Sequence, residues 1–369
     1  MPHKIKNVFL KSQSFELLYQ AHLRAKKNKT NRNELISFEI NLENNLINLL
    51  NNIKKGTYHL GKYTTFIIYE PKRREIMSLP YKDRIIHQWY VEEFIKPYIV
   101  PKLITDTFAC ITDRGTHKAI DKVQEYMKTF YRNNGDFWIL KCDIKKFFYS
   151  IDKNILFEIL KKYISDKKLL DFTRLIIFEK QSASKKGIPI GNYTSQFFAN
   201  IYLNELDQFA KHNLHLKYYV RYMDDFIIIL KSKEECKKIK KEIELFLHEN
   251  LELELNHKSH YYPHKFGLDF CGYRIFTTHR LLRTNSKKKI KRKVSSLNKM
   301  YRNNSLDFKR AMFSINSWIG HSSHANTYTL RKKIINKCDF LYTSKVIEDE
   351  ENYIHNLIDN ESKVRNKYL

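Results

Sequence analysis

The stretch YVRYMDDFIIIL, Tyr219 to Leu230, sets two adjacent carboxylates, Asp224 and Asp225, inside a run of strand-forming apolar and aromatic residues. Aspartate is depleted in strands, and buried charge is unfavourable unless it is paired or bound to a cation. The pair therefore marks an exposed turn or meets something cationic. Two short strands folded about the carboxylates make an antiparallel hairpin the expected unit. Asp-Asp alone favours a plain turn. A second acidic strand reverses that balance: in FWILKCDIKKFF, Asp143 follows Ile139, Leu140 and Cys142.

Carboxylates on neighbouring strands fit phosphoryl transfer from a nucleoside triphosphate. Mg²⁺ takes one or two carboxylates plus phosphate and water. Two such ions, about 3.5–4 Å apart, can activate an attacking oxygen and hold the leaving phosphate. The expected metal ligands are Asp143, Asp224 and Asp225, with the Ile144 carbonyl completing the shell. Asp224 is expected to matter most and Asp225 less. The expected cofactor is two Mg²⁺ ions, with Mn²⁺ as the alternative.

Lys and Arg number 67 against 40 Asp and Glu, a formal charge of +27. An excess that large implies a polyanionic partner, most often nucleic acid; a merely soluble basic surface is the plainer alternative. The five cysteines are far apart and form no CxxC, which fits a reducing compartment. His257, His260 and His264 lack cysteine partners at zinc-finger spacing. No segment reaches the roughly 20 apolar residues needed to span a bilayer, and no apolar signal core opens the chain. A cytoplasmic protein is expected.

Along the chain, residues 11–55 read as helices, and TTFIIYEPKRREIMSLP as two strands about the basic turn Lys72-Arg73-Arg74. A helix follows from Asp83, closed by Pro97 and Pro101. RGTHKAIDKVQEYMKTFYR reads as a turn and a helix ending near Gly135. FWILKCDIKKFF reads as one strand, and 155–178 as helical. GIPIGNYTSQ is a glycine-bearing loop, with Thr194 or Ser195 capping the next helix. KEECKKIKKEIELFLHENL is an amphipathic helix with Ile239, Ile243, Phe246 and Leu247 on one face. LELELNHKSHYYP and LDFCGYRIF read as strands, 283–310 as a basic helix that is either solvated or grips a duplex backbone, and 345–369 as a polar tail. The pattern is α+β with a mostly antiparallel sheet.

YMDD after an aromatic-rich strand, with DIKKFF upstream, resembles the palm of a reverse transcriptase. EPKRREIMSLPYKDRII, RGTHKAI and FGLDFCGYRIF resemble further motifs of that family in the same order, across roughly residues 60–340. IGNYTSQ, with Ile190 before Gly191 and Gln196 after Ser195, is similar to reverse transcriptases of diversity-generating retroelements. SWIGHSSHANTYTLRKK, residues 317–333, resembles their C-terminal region. The resemblance implies a right-hand polymerase with fingers, an antiparallel palm sheet and a helical thumb. It implies copying of template RNA into cDNA from a primer with deoxynucleotides, errors concentrated at adenines, and a small basic accessory protein.

The resemblance also implies residue roles. Lys72 and Arg74 would clasp the triphosphate through fixed donors. Phe148 would act as sugar gate, and Lys258 would protonate the leaving pyrophosphate. Gly191 would let the backbone approach the nucleotide, beside Ile190 and Gln196. Ile190 lacks the hydrogen-bonding capacity of glutamine, which predicts low fidelity. The plainer alternatives are a solvated basic turn, a core aromatic, a surface lysine and a core isoleucine. Expected divisions are an N-terminal helical extension at 1–60, fingers at 61–135, palm at 136–280 with a fingers insertion near 155–190, thumb at 281–345 and tail at 346–369. That tail is too short for an appended nuclease domain of usual size. A defence-associated or retron-like enzyme is the nearer alternative; an inactive polymerase fold serving as an RNA-binding scaffold is the farther one.

Overall fold

The computed structural model describes residues 4–29, 33–69, 73–178 and 184–341. Lys72 and the expected tail at 346–369 lie outside the described residues. The chain forms two compact units: Met1–Ala119 with Trp138–Tyr261, and Ile120–Phe137 with Tyr262–Leu369.

The first unit opens with helices α1 (Phe15–Lys26), α2 (Asn33–Ile40) and α3 (Leu42–Lys55). Ser14 starts α1 by accepting the Leu17 N–H, and Gly56 stops α3 in the left-handed region. Leu46, Leu49, Leu50 and Ile53 recur at helical spacing and bury one face of α3. Strands β1 (Thr64–Ile68) and β2 (Arg74–Ser78) pair antiparallel, Thr64 opposite Ser78. Helix α4 (Tyr81–Tyr90) follows, starting before Asp83; α5 (Thr116–Asn134) comes next in the chain and belongs to the second unit from Ile120 onward.

The central sheet is built from β3 (Trp138–Cys142), β4 (Tyr219–Tyr222), β5 (Asp225–Leu230) and β6 (His260–Pro263), in the order β4-β5-β3-β6. Every residue of β5 from Phe226 to Leu230 is buried, as a central strand flanked on both sides requires. Helices α6 (Phe147–Ser150), α7 (Lys153–Tyr163), α8 (Lys167–Ile177), α9 (Tyr193–Gln208) and α10 (Lys233–Leu251) complete this unit. Leu156, Leu160, Phe198, Tyr202, Ile243 and Leu247 are buried in the core they share with the sheet.

The N-terminal segment belongs to this core. Ile5 bridges Ile164 in parallel, and Phe9 lies among Trp89, Phe94 and Phe172. Asp166 does two jobs. Its Oδ1 caps α8 at the Leu169 N–H, and its Oδ2 accepts the N–H groups of Val8 and Phe9 at 3.0 and 3.1 Å.

In the second unit β7 (Leu268–Phe270), β8 (Tyr273–Ile275) and β9 (Arg280–Leu282) form an antiparallel sheet. Helices α11 (Thr284–Arg302), α12 (Phe308–Ser323) and α13 (Tyr328–Ile335) follow. His321, from the SWIGH segment, meets the Tyr273 hydroxyl at 2.9 Å.

The α+β class with antiparallel sheets agrees with the sequence reading; several boundaries do not. β3 stops at Cys142, because Lys146 at φ +48 turns the chain and Phe147–Ser150 close a short helix. The expected single strand FWILKCDIKKFF is therefore a strand, a turn and a helical turn. Asn192, not Thr194 or Ser195, occupies the N-cap of α9. LELELNHKSHYYP is mostly loop: Glu252 takes the left-handed region after α10, and only His260–Pro263 form a strand. LDFCGYRIF is two strands about a turn at Cys271 and Gly272, both at positive φ. All five cysteines are free thiols, and among the described residues no helix is long and apolar enough to cross a membrane.

Candidate active site

The antiparallel register gathers the acidic residues. Cys142 pairs with Phe226 and Tyr222 with Asp225. Asp143, one residue past Cys142, therefore lies level with Asp225, at the same end of the sheet as Asp224. Met223 and Asp224 form the hairpin turn. Met223 takes φ +57, a left-handed conformation that disfavours side chains by about 1–3 kcal/mol.

Both hairpin carboxyls are half-buried and pushed up to about 6, Asp224 by burial first and then by the Asp143 charge. For Asp225 burial again leads, opposed by the Lys141 ammonium, whose Nζ lies 3.3 Å from Oδ2. Asp225 Oδ1 is buried, and no donor among the described residues reaches it. Desolvated, mutually repelling carboxylates with an unpartnered oxygen fit a hard divalent cation. Among the described residues no three His, Cys, Asp or Glu side chains form a ready-made cage. Mg²⁺ needs none, since phosphate and water complete its shell.

Asp143 is held from a loop that sequence reasoning passed over. Asn256 Nδ2 donates to Asp143 Oδ2 at 2.9 Å, and the Asn256 backbone N–H donates to the Asp143 carbonyl at 2.7 Å. Ser259 Oγ accepts the Asp143 N–H at 3.1 Å. Asn256 Oδ1 also accepts the Lys258 N–H at 3.1 Å, so one side chain joins Asp143 to the lysine's backbone. Partners that orient a ligand carboxylate typically matter 10–100-fold. Asn256→Ala is accordingly expected to lower kcat about tenfold or more with little change in thermal midpoint, checked by steady-state primer extension and a melting curve.

The remaining candidates divide. Arg74, exposed at the start of β2, reaches Asp224 electrostatically and pulls its pKa down. The Ile190 carbonyl accepts the Met77 N–H at 2.9 Å, which fastens the glycine loop to β2. Gly191 sits at φ +121, and a Cβ there would lie 2.9 Å from Ile76 Cγ2 and 3.0 Å from the Met77 carbonyl oxygen. The close approach that this glycine permits is thus to β2, not only to a nucleotide as the sequence reading had it. Gly191→Ala is expected to cost about 1–3 kcal/mol in backbone strain, read as a lowered urea midpoint. Phe148 is half-buried against the core, and its carbonyl accepts the Ile188 N–H at 2.9 Å, so it adjoins the same loop. The Ile144 side chain is buried; a ligand role rests on its carbonyl. Gln196 and Lys258 are exposed, and among the described residues no hydrogen bond or ion pair ties their side chains to the carboxylates.

Residues 62–275 match the family described as reverse transcriptase (RNA-dependent DNA polymerase). The group II intron-encoded protein LtrA of Lactococcus lactis subsp. cremoris is 24% identical over 305 residues, covering 63% of this chain and 50% of that protein. The chain thus spans about half the length of that relative. The putative COX1/OXI3 intron 2 protein of Saccharomyces cerevisiae is 26% identical over 223 residues, 43% of this chain and 25% of that protein. Among solved structures, telomerase from Candida albicans with a TWJ fragment of telomeric RNA aligns at TM-score 0.47 and 11% identity, covering 82% of this chain and 67% of that chain. Apo telomerase from Candida Tropicalis, truncated from its C-terminal domain, aligns at TM-score 0.44 and 16% identity, with 63% and 59% coverage. The reverse transcriptase family match places the fold class as a right-hand polymerase. A match over more than half its length, with the acidic hairpin inside it, makes this chain a member of the reverse transcriptase family.

Proposed function

We propose that the chain is an RNA-directed DNA polymerase, extending a nucleic-acid primer with deoxynucleotides along template RNA. The observation that carries this is the register that sets Asp143 level with the Asp224–Asp225 tip, inside the matched family region. Asp143, Asp224, Asp225 and the Ile144 carbonyl would hold two Mg²⁺ ions, or Mn²⁺. Bound there, such ions lower the pKa of a primer hydroxyl and neutralise charge on the leaving phosphate. The protein's own part is positional: Asn256 orients Asp143, Lys141 limits the repulsion at Asp225, and Arg74 brings positive charge where a triphosphate would lie. Phe148 beside the loop would exclude a ribose hydroxyl, and Lys258 would hand a proton to pyrophosphate. The test is primer extension on RNA with wild type and Asp224→Ala/Asp225→Ala. Equal incorporation by both would refute the site.

The finer reading is a diversity-generating retroelement enzyme that miscopies adenines and works with a small basic accessory protein. It rests on the IGNYTSQ loop and the 317–333 segment. The intron-encoded relatives favour a second reading, in which this chain too is intron-encoded. Sequencing the nucleic acid that copurifies separates them. Because the Ile190 backbone is pinned by Met77, Ile190→Gln changes side-chain chemistry alone. It is expected to lower misincorporation about tenfold, since a hydrogen-bonding site discriminates better than an apolar one. An unchanged cDNA error spectrum counts against the fidelity reading.

A further inference from the structure

We infer that Arg221 is a positioning residue that fixes the catalytic hairpin to helix α9, an inference that rests on the polymerase reading of the site. Arg221 lies on β4 and is fully buried, as is its partner Asp207 on α9. Its Nε donates to Asp207 Oδ1 at 2.7 Å, and its Nη2 donates to Asp207 Oδ2. Nη1 donates to Asn200 Oδ1 at 3.1 Å and to the Met223 carbonyl at 3.0 Å; Nη2 also reaches the Asn200 carbonyl at 3.5 Å. Asp207 additionally accepts the Tyr219 hydroxyl at 2.7 Å.

A buried ion pair is weak evidence for stability, because apolar residues of similar volume often serve as well. What an apolar pair cannot supply is a donor to the Met223 carbonyl. Met223 occupies the first central position of a two-residue hairpin turn, where glycine is the usual choice, and it does so at φ +57. Arg221 thus holds the residue preceding Asp224 in a conformation its side chain disfavours. It is itself anchored, through Asp207 and Asn200, to α9, the helix that begins just after the Ile190–Gly191 loop. The planar guanidinium reaches Asp207, Asn200 and Met223 at once; a lysine ammonium cannot.

The test compares wild type with Arg221→Lys, and with the triple variant Arg221→Met/Asp207→Leu/Tyr219→Phe, which leaves no buried charge unpaired while removing the donor to the Met223 carbonyl and to Asn200 Oδ1. Amide hydrogen exchange on metal-free protein is read together with primer-extension kinetics. The expected result is unchanged protection in α9, at least tenfold faster exchange at Met223–Asp225, and kcat at least tenfold lower with KM for deoxynucleotide within twofold. A folded variant with wild-type exchange in the hairpin, or with wild-type kcat, overturns the inference. So does failure of both variants to fold, which would make the pair a stability element only. A wild type that extends no primer would instead sink the polymerase reading, leaving the exchange data to decide this one.

Discussion

Asp224→Asn is expected to reduce primer extension at least a thousandfold while leaving the metal-free protein as stable as wild type, or more so. Loss of a ligand to a catalytic ion removes several kcal/mol of transition-state stabilisation, and each ~1.4 kcal/mol is tenfold in rate. Stability moves the other way because this carboxylate is held against its preference: burial and the Asp143 charge raise it from 3.8 to about 6. Between those values the folded state binds more protons than the unfolded one. Wild-type stability therefore falls as pH rises from about 4 to about 6, and the penalty persists above that. The amide carries no such penalty, a gain on the order of 1 kcal/mol after solvent screening. Melting curves in EDTA across this pH range check the sign. Added Mg²⁺ should raise the wild-type midpoint by mass action and leave that of the variant nearly still. A variant that is destabilised, or that responds to Mg²⁺ like wild type, would remove Asp224 from the metal site.

Asp207→Ala is expected to give the largest loss of stability of any single change considered. It leaves the Arg221 guanidinium buried without its counter-ion and the Tyr219 hydroxyl without its acceptor. Removing one member of a buried pair typically costs about 3–5 kcal/mol, whereas replacing the whole cluster by apolar residues is often near neutral. Urea unfolding should therefore rank the single variant well below the triple one. The reverse order would mean that the cluster's packing, not its charge balance, dominates.

The acidic hairpin was legible from sequence because carboxylates amid strand formers are anomalous by themselves, and Asp143 stood in a second such strand. The same anomaly was present in Arg221, a charge within an apolar strand, and passed unremarked because its partner lies in a helix whose packing no local pattern reveals. Asn256 and Ser259 were illegible for a related reason. Both sit in a loop, and only the antiparallel bridge between Ile144 and Leu255, far apart in sequence, brings them to Asp143. Phe147 and Phe148 were read as strand because a few aromatics carry no period; the left-handed turn at Lys146 decided otherwise. Gly191 was legible as a site of close approach, but not which neighbour approaches, since β2 is far away in sequence.

The two-handed grip of Asp166 has a practical corollary for anyone trimming or tagging this protein. Shortening it to begin at Phe15 would pull an aromatic wedge from between Trp89 and Phe172 and leave a carboxylate with one hand empty. Residues 4–12 are masonry, and handles for purification belong elsewhere.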